Sequence, residues 1–229
     1  MGVLRFLVGV LLIPFCVAIT WTTASLVASI PSHSAHAIPA SAWAFAGGFL
    51  LWGLLYAALP MPVRTYVLAH ELTHALWAYL TGARVVRMNI AQRSGSVTLS
   101  KCNFLVALAP YFFPLYTVLV ILSYCLASVF LDVNAYHLWW LGLVGFTWCF
   151  HVTFTVSALL QRQTDVQVYG RLFSYAFIYA LNLLGICLCV VLVSSATLEQ
   201  MAGALRVRLV AVTLFLWRAA ALAADGRKS

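Results

Sequence analysis

The chain has 229 residues, of which 64% are hydrophobic and only 8% charged. A water-exposed domain of this length usually carries about 25% charged residues, so an ordinary soluble domain is excluded and lipid is the expected main solvent. Thirteen Lys/Arg against five Asp/Glu give a net charge of +8, but these bases sit in short loops between apolar runs. That distribution excludes a nucleic-acid partner and suits positive-inside membrane orientation.

The expected fold class is an all-α integral membrane protein of about 5–7 membrane helices, a single polytopic domain over 1–229. Residues 6–30, after Arg5, form the first apolar run. Ala35-His36-Ala37 resembles a small-residue cleavage site, but a signal core is typically 7–15 residues, so a retained anchor is expected. A polar loop over 31–41 (Pro31, His33, His36, Pro39) precedes a second apolar run over 42–60. Pro60 and Pro62 lead into a third helix at about 63–81, with Thr81-Gly82 as its stop.

Residues 84–100 change period. Val86, Met88 and Ile90 alternate with polar or small residues, Arg93-Ser94-Gly95-Ser96 follows, and Val97 and Leu99 resume the alternation. That pattern predicts a small β-hairpin, whose plainest role is a solvated surface ribbon. The next run, 103–131, contains Pro110 and Pro114 and is expected to kink. Runs over 136–161 and 171–194 follow. The tail 196–229, with Arg206, Arg208 and Arg218 and a basic end, is either a short last span or an amphipathic interfacial helix. Five of the six cysteines lie in apolar runs and are read as small buried hydrophobes. Arg84, Arg87, Arg93 and Lys101 around the hairpin, and Arg162 and Arg171 around Asp165, place both groups on one side, expected to be cytoplasmic.

The chemistry concentrates in His70-Glu71-Leu72-Thr73-His74. Positions i and i+4 share a helix face, so His70 and His74 can direct two imidazoles at one zinc ion, while Glu71 stays free as general base and acid toward a metal-activated water. With two Glu and six His in the chain, a chance match to this spacing is about one in a thousand. The bland alternative is a pair of hydrogen-bonded core histidines with Glu71 as partner; an intramembrane carboxylate is costly enough to favour function.

A catalytic zinc site usually has three protein ligands and one open position. Leu80 stands where an extended zincin motif has its third His. Of the remaining acids, Asp132 is expected across the membrane, Glu199 in an outer loop and Asp225 in the tail. Asp165, at the cytoplasmic end of a span, is the expected third ligand; its rival role is a solvated acid paired with Arg162. His151 lies about 20 Å along the helix from Asp165 and is read as a buried hydrogen-bonding residue.

These residues resemble the site-2 protease family, the intramembrane zinc metalloproteases: His70-Glu71-x-x-His74 on a hydrophobic helix, a hairpin directly after it, the Ala109-Pro110 span and a later aspartate. The resemblance spans roughly 60–182, a metalloprotease-like core without a PDZ-like insertion. It implies that His70, His74 and Asp165 ligate zinc, that Glu71 is catalytic, and that the hairpin, through Val97 and Leu99, offers an edge to an unwound substrate strand. Asn182 is a candidate substrate-contacting amide, with a helix–helix hydrogen bond as its alternative. The implied activity is cleavage of a transmembrane or juxtamembrane segment of another membrane protein in a cell (inner) membrane. The chain departs from the family in having Val166 after the aspartate where glycine is common. A non-catalytic scaffold or chaperone retaining the fold is the alternative, and the intact Glu71 argues against it. A metal pathway through His70, His74 and His151 would call for two related halves, and no duplication is found.

Overall fold

A long apolar run satisfies its backbone hydrogen bonds most cheaply within itself, and the computed structural model, which describes residues 2–30, 38–91 and 94–225, is accordingly mostly helical. In chain order the elements are α1 (Gly2–Ala28), α2 (Ala40–Ala58), α3 (Val63–Leu80), β1 (Val85–Ile90), β2 (Gly95–Leu99), α4 (Phe104–Phe112), α5 (Leu115–Phe130), α6 (His137–Leu159, entered through a 3-10 turn at Asn134–Tyr136), α7 (Thr164–Val168), α8 (Arg171–Val193) and α9 (Leu198–Asp225). The Ala35-His36-Ala37 segment with Pro31 and His33, Arg93, and the basic end at 226–229 lie outside the described residues.

Among the described residues, four segments are long and apolar enough to cross a membrane: α1, α2, Asn134–Leu159 and α8. The bent pair α4–α5 makes a fifth if it counts as one span, so four or five candidate spans stand where 5–7 are expected. α3, which carries Arg64, His70, Glu71 and His74, and α9, which carries Arg206, Arg208 and Arg218, are not among them. The expected kink is a 77° bend. Pro114 has no N–H to donate and pushes the residue before it out of the helical region; Phe113 is extended, at φ −103° and ψ 106°.

The chain packs as two compact units, residues 39–169 and residues 1–38 with 170–229. The second of these packs α8 and α9 on α1 around Ile19, Leu26, Cys187, Val190 and Met201. Arg208 sits 4.3 Å over the Trp21 ring and donates to Ser25 at 3.3 Å. Those contacts let an apolar helix carry a charge, and α9 runs unbroken for 28 residues.

The 39–169 unit holds the chemistry. Its longest contact is α2 against α6, where Gly48 lies on the Gly142 carbonyl and Gly145 on the Phe45 carbonyl. Small residues allow such backbone approach. Trp52 then wedges among Phe146, Phe150 and Phe154. The expected hairpin is present, antiparallel, with Met88 opposite Val97 and Ile90 opposite Gly95. Gly82, at φ +74°, ends α3 in the left-handed conformation glycine adopts freely.

The cysteines divide. Cys149 and Cys187 are buried as expected, Cys16 and Cys189 half-buried, but Cys102 and Cys125 are exposed; Cys125 lies on the outer face of α5, so an apolar run alone does not bury it.

Candidate metal centre

His70 and His74 lie one turn apart on α3, and their Nε2 atoms face each other at 3.2 Å. Each ring is held from behind. Nδ1 of His74 donates to the Val106 carbonyl at 2.8 Å, which places the proton on Nδ1 and leaves the Nε2 lone pair available. Nδ1 of His70 is 3.2 Å from the Tyr66 hydroxyl. Val106 belongs to the first turn of α4, and the Asn103 side chain caps that turn by accepting from the Val106 N–H at 2.9 Å.

Asp165 is brought to the histidines by a device that differs from expectation. It does not end a span: α6 stops at Leu159, Gln163 is extended at φ −104° and ψ 124°, and Asp165 sits on the separate five-residue α7. Gln163 anchors the break, its Nε2 donating to the Ala158 carbonyl at 3.1 Å. Oδ2 of Asp165 then lies 3.8 Å from Nε2 of His70 and 3.7 Å from Nε2 of His74. The Tyr111 hydroxyl donates to the same Oδ2 at 3.1 Å, with Gln163 Oε1 at 3.3 Å. Burial pushes the Asp165 carboxyl up, but where His70 and His74 are protonated their hydrogen bonds and charge outweigh it and hold the group well below the ordinary carboxylate range.

Among the described residues, His70, His74 and Asp165 form the one group of side chains placed to share a metal ion. Zinc bonds to nitrogen and oxygen are about 2.0–2.2 Å, and tetrahedral geometry then spaces ligand atoms about 3.3–3.6 Å apart. The observed triangle of 3.2, 3.7 and 3.8 Å needs only a small inward movement of Asp165. Two imidazoles and a carboxylate, each with an outer hydrogen-bond partner, suit such an ion.

Glu71 stands outside this triangle and is buried. Its side chain lies against Gly95, where an added Cβ would stand 2.6 Å from both Glu71 Cγ and Oε1. Glu71 and His70 open onto a cleft of about 270 Å³, also lined by Tyr66, Val67, Gly95 and Gln163.

The other expected residues are placed differently. Leu99 packs against the cluster of Ala78, Ala83 and Val106, so its side chain supports the end of α3. Val97 is half-buried on β2. Asn182 belongs to the other unit, where its amide donates to the Ile178 carbonyl of its own helix at 2.8 Å. Glu199 starts α9 in that same unit. Asp132 accepts from the Asn134 N–H in the turn leading to the far end of α6. His151 is buried beside Trp148 and, like His70, lines a cavity of about 20 Å³, room for one water. Tyr66, Tyr111, Gln163 and Gly95 are the site residues that sequence reasoning missed. Tyr66 was findable, four positions before His70 on the same face; the others carry no local spacing signal.

No family model, curated protein or solved structure matches this chain.

Proposed function

We propose that the protein is an intramembrane zinc metalloendopeptidase, akin to the site-2 proteases, hydrolysing a peptide bond in a transmembrane or juxtamembrane segment of another membrane protein. The observation that carries this reading is the arrangement of His70, His74 and Asp165 around one point, with Glu71 outside the triangle yet on the same cleft. A bound zinc would supply Lewis acidity and make hydroxide available near neutral pH.

The chain's residues divide the remaining work. Val106 and Tyr66 fix the two imidazoles with Nε2 forward. Glu71 takes a proton from the attacking water onto its carboxylate and returns it to the leaving amine nitrogen. Gly95 lets the hairpin cover Glu71 closely, which excludes bulk water from one side of the carboxylate. Ser94 and Gly95 at the start of β2 bring backbone to the cleft, where an extended substrate segment has an edge to pair with. The apolar helices support a multi-pass location in a cell membrane, and Arg84, Arg87, Lys101 and Arg162 support a site near its cytoplasmic face.

The test is zinc content and cleavage of a transmembrane reporter peptide by the purified chain in lipid nanodiscs. Glu71→Gln is expected to keep stoichiometric zinc and lose at least a hundredfold in rate; Asp165→Ala is expected to lose zinc. Full zinc occupancy in Asp165→Ala, or unaltered cleavage by Glu71→Gln, overturns the assignment. Zinc binding without cleavage of any membrane segment would favour the scaffold alternative.

A further inference from the structure

Asp165 rides on a helix of five residues, too short to hold its own geometry, since isolated helices below about 12 residues are marginal. Something outside α7 must therefore orient the carboxylate. The Tyr111 ring is fully buried, edge-on to His70 at 5.4 Å and 83°, and its hydroxyl donates to Asp165 Oδ2. That oxygen is the one facing both imidazoles. α4 thus reaches two members of the triangle, His74 through the Val106 carbonyl and Asp165 through Tyr111.

We propose that Tyr111 is a positioning residue that selects which oxygen of Asp165 is offered to the metal and holds it there. The inference rests on the zinc reading. A hydroxyl has one proton and here two acceptors in reach, Asp165 Oδ2 at 3.1 Å and Gln163 Oε1 at 3.3 Å. Gln163 Oε1 competes for that proton, and the nearer, charged oxygen of Asp165 takes the stronger share. Once the hydroxyl is removed, the carboxylate is free to rotate about its Cβ–Cγ bond. Ligand partners of this kind typically change metal affinity ten- to a hundredfold.

The experiment compares wild type with Tyr111→Phe, measuring zinc affinity by chelator competition and the visible absorption of the cobalt(II)-substituted protein, which reports ligand number and geometry. Tyr111→Phe is expected to raise the zinc dissociation constant about ten- to a hundredfold and to change the cobalt bands, with an unchanged thermal midpoint in the metal-free protein. Equal zinc affinity and superimposable cobalt spectra overturn the proposal. If the phenylalanine variant does not fold, 3-fluorotyrosine at position 111 keeps the shape and sharpens the donor; cobalt bands identical to wild type then overturn it. Failure of wild type itself to bind zinc is a separate result and counts against the zinc reading alone.

Discussion

Gly95 of the hairpin rests directly on the Glu71 carboxylate, so close that a single methyl group at its Cα would meet both Cγ and Oε1. The hairpin therefore forms one wall of the Glu71 pocket, and the missing side chain is what allows it. Gly95→Ala must displace either the strand or the carboxylate. Overpacking of this kind costs about 1–3 kcal/mol. The expected outcome is a loss of stability on that scale together with a lower kcat/KM, with zinc content unchanged. Reporter cleavage beside metal analysis of the same sample checks it, and wild-type activity in Gly95→Ala would separate the hairpin from the catalytic pocket.

If the proposed reading holds, chelation should stop cleavage without unfolding the chain. The aromatic core around Trp52, Phe150 and Phe154 stabilises the 39–169 unit independently of the metal, unlike small zinc modules that are unfolded without it. Circular dichroism before and after a strong chelator should superimpose, while cleavage stops and returns on adding zinc. Loss of helical signal on chelation would show that the ion is structural.

Asn103 caps α4 and so sets the carbonyl that holds His74. Asn103→Ala should lower stability by about 1 kcal/mol, the usual value of such a cap, and weaken zinc binding by less than Asp165→Ala does. Thermal unfolding in detergent and zinc titration measure the two effects. A variant with normal zinc affinity would mean that the Val106 carbonyl stays in place without its cap.

The α2–α6 contact can be probed with a matched pair of substitutions. Gly145→Ala drives a methyl group into the Phe45 backbone, whereas Gly53→Ala meets only Cys149 Sγ at 4.0 Å. The first is expected to lower stability by about 1–3 kcal/mol and the second to leave it nearly unaltered. Equal midpoints for the two variants would refute backbone-to-backbone packing at Gly145.

The sequence by itself determined the elements whose causes are local. Unbroken apolar runs marked the long helices, Pro110 and Pro114 the bend, period-two alternation the hairpin, and the i, i+4 spacing the convergence of His70 and His74. These follow from backbone hydrogen bonding and side-chain direction within a few residues. Only the tertiary structure decided the rest. The scarcity of acids in the sequence points to Asp165, but its approach depends on a chain break at Gln163 and on a tyrosine from another helix. The role of Gly95 appears only once the strand is folded back over α3. Contacts between elements far apart in the chain are fixed by packing and by the shared need of buried polar groups for partners, and neither leaves a period in the sequence.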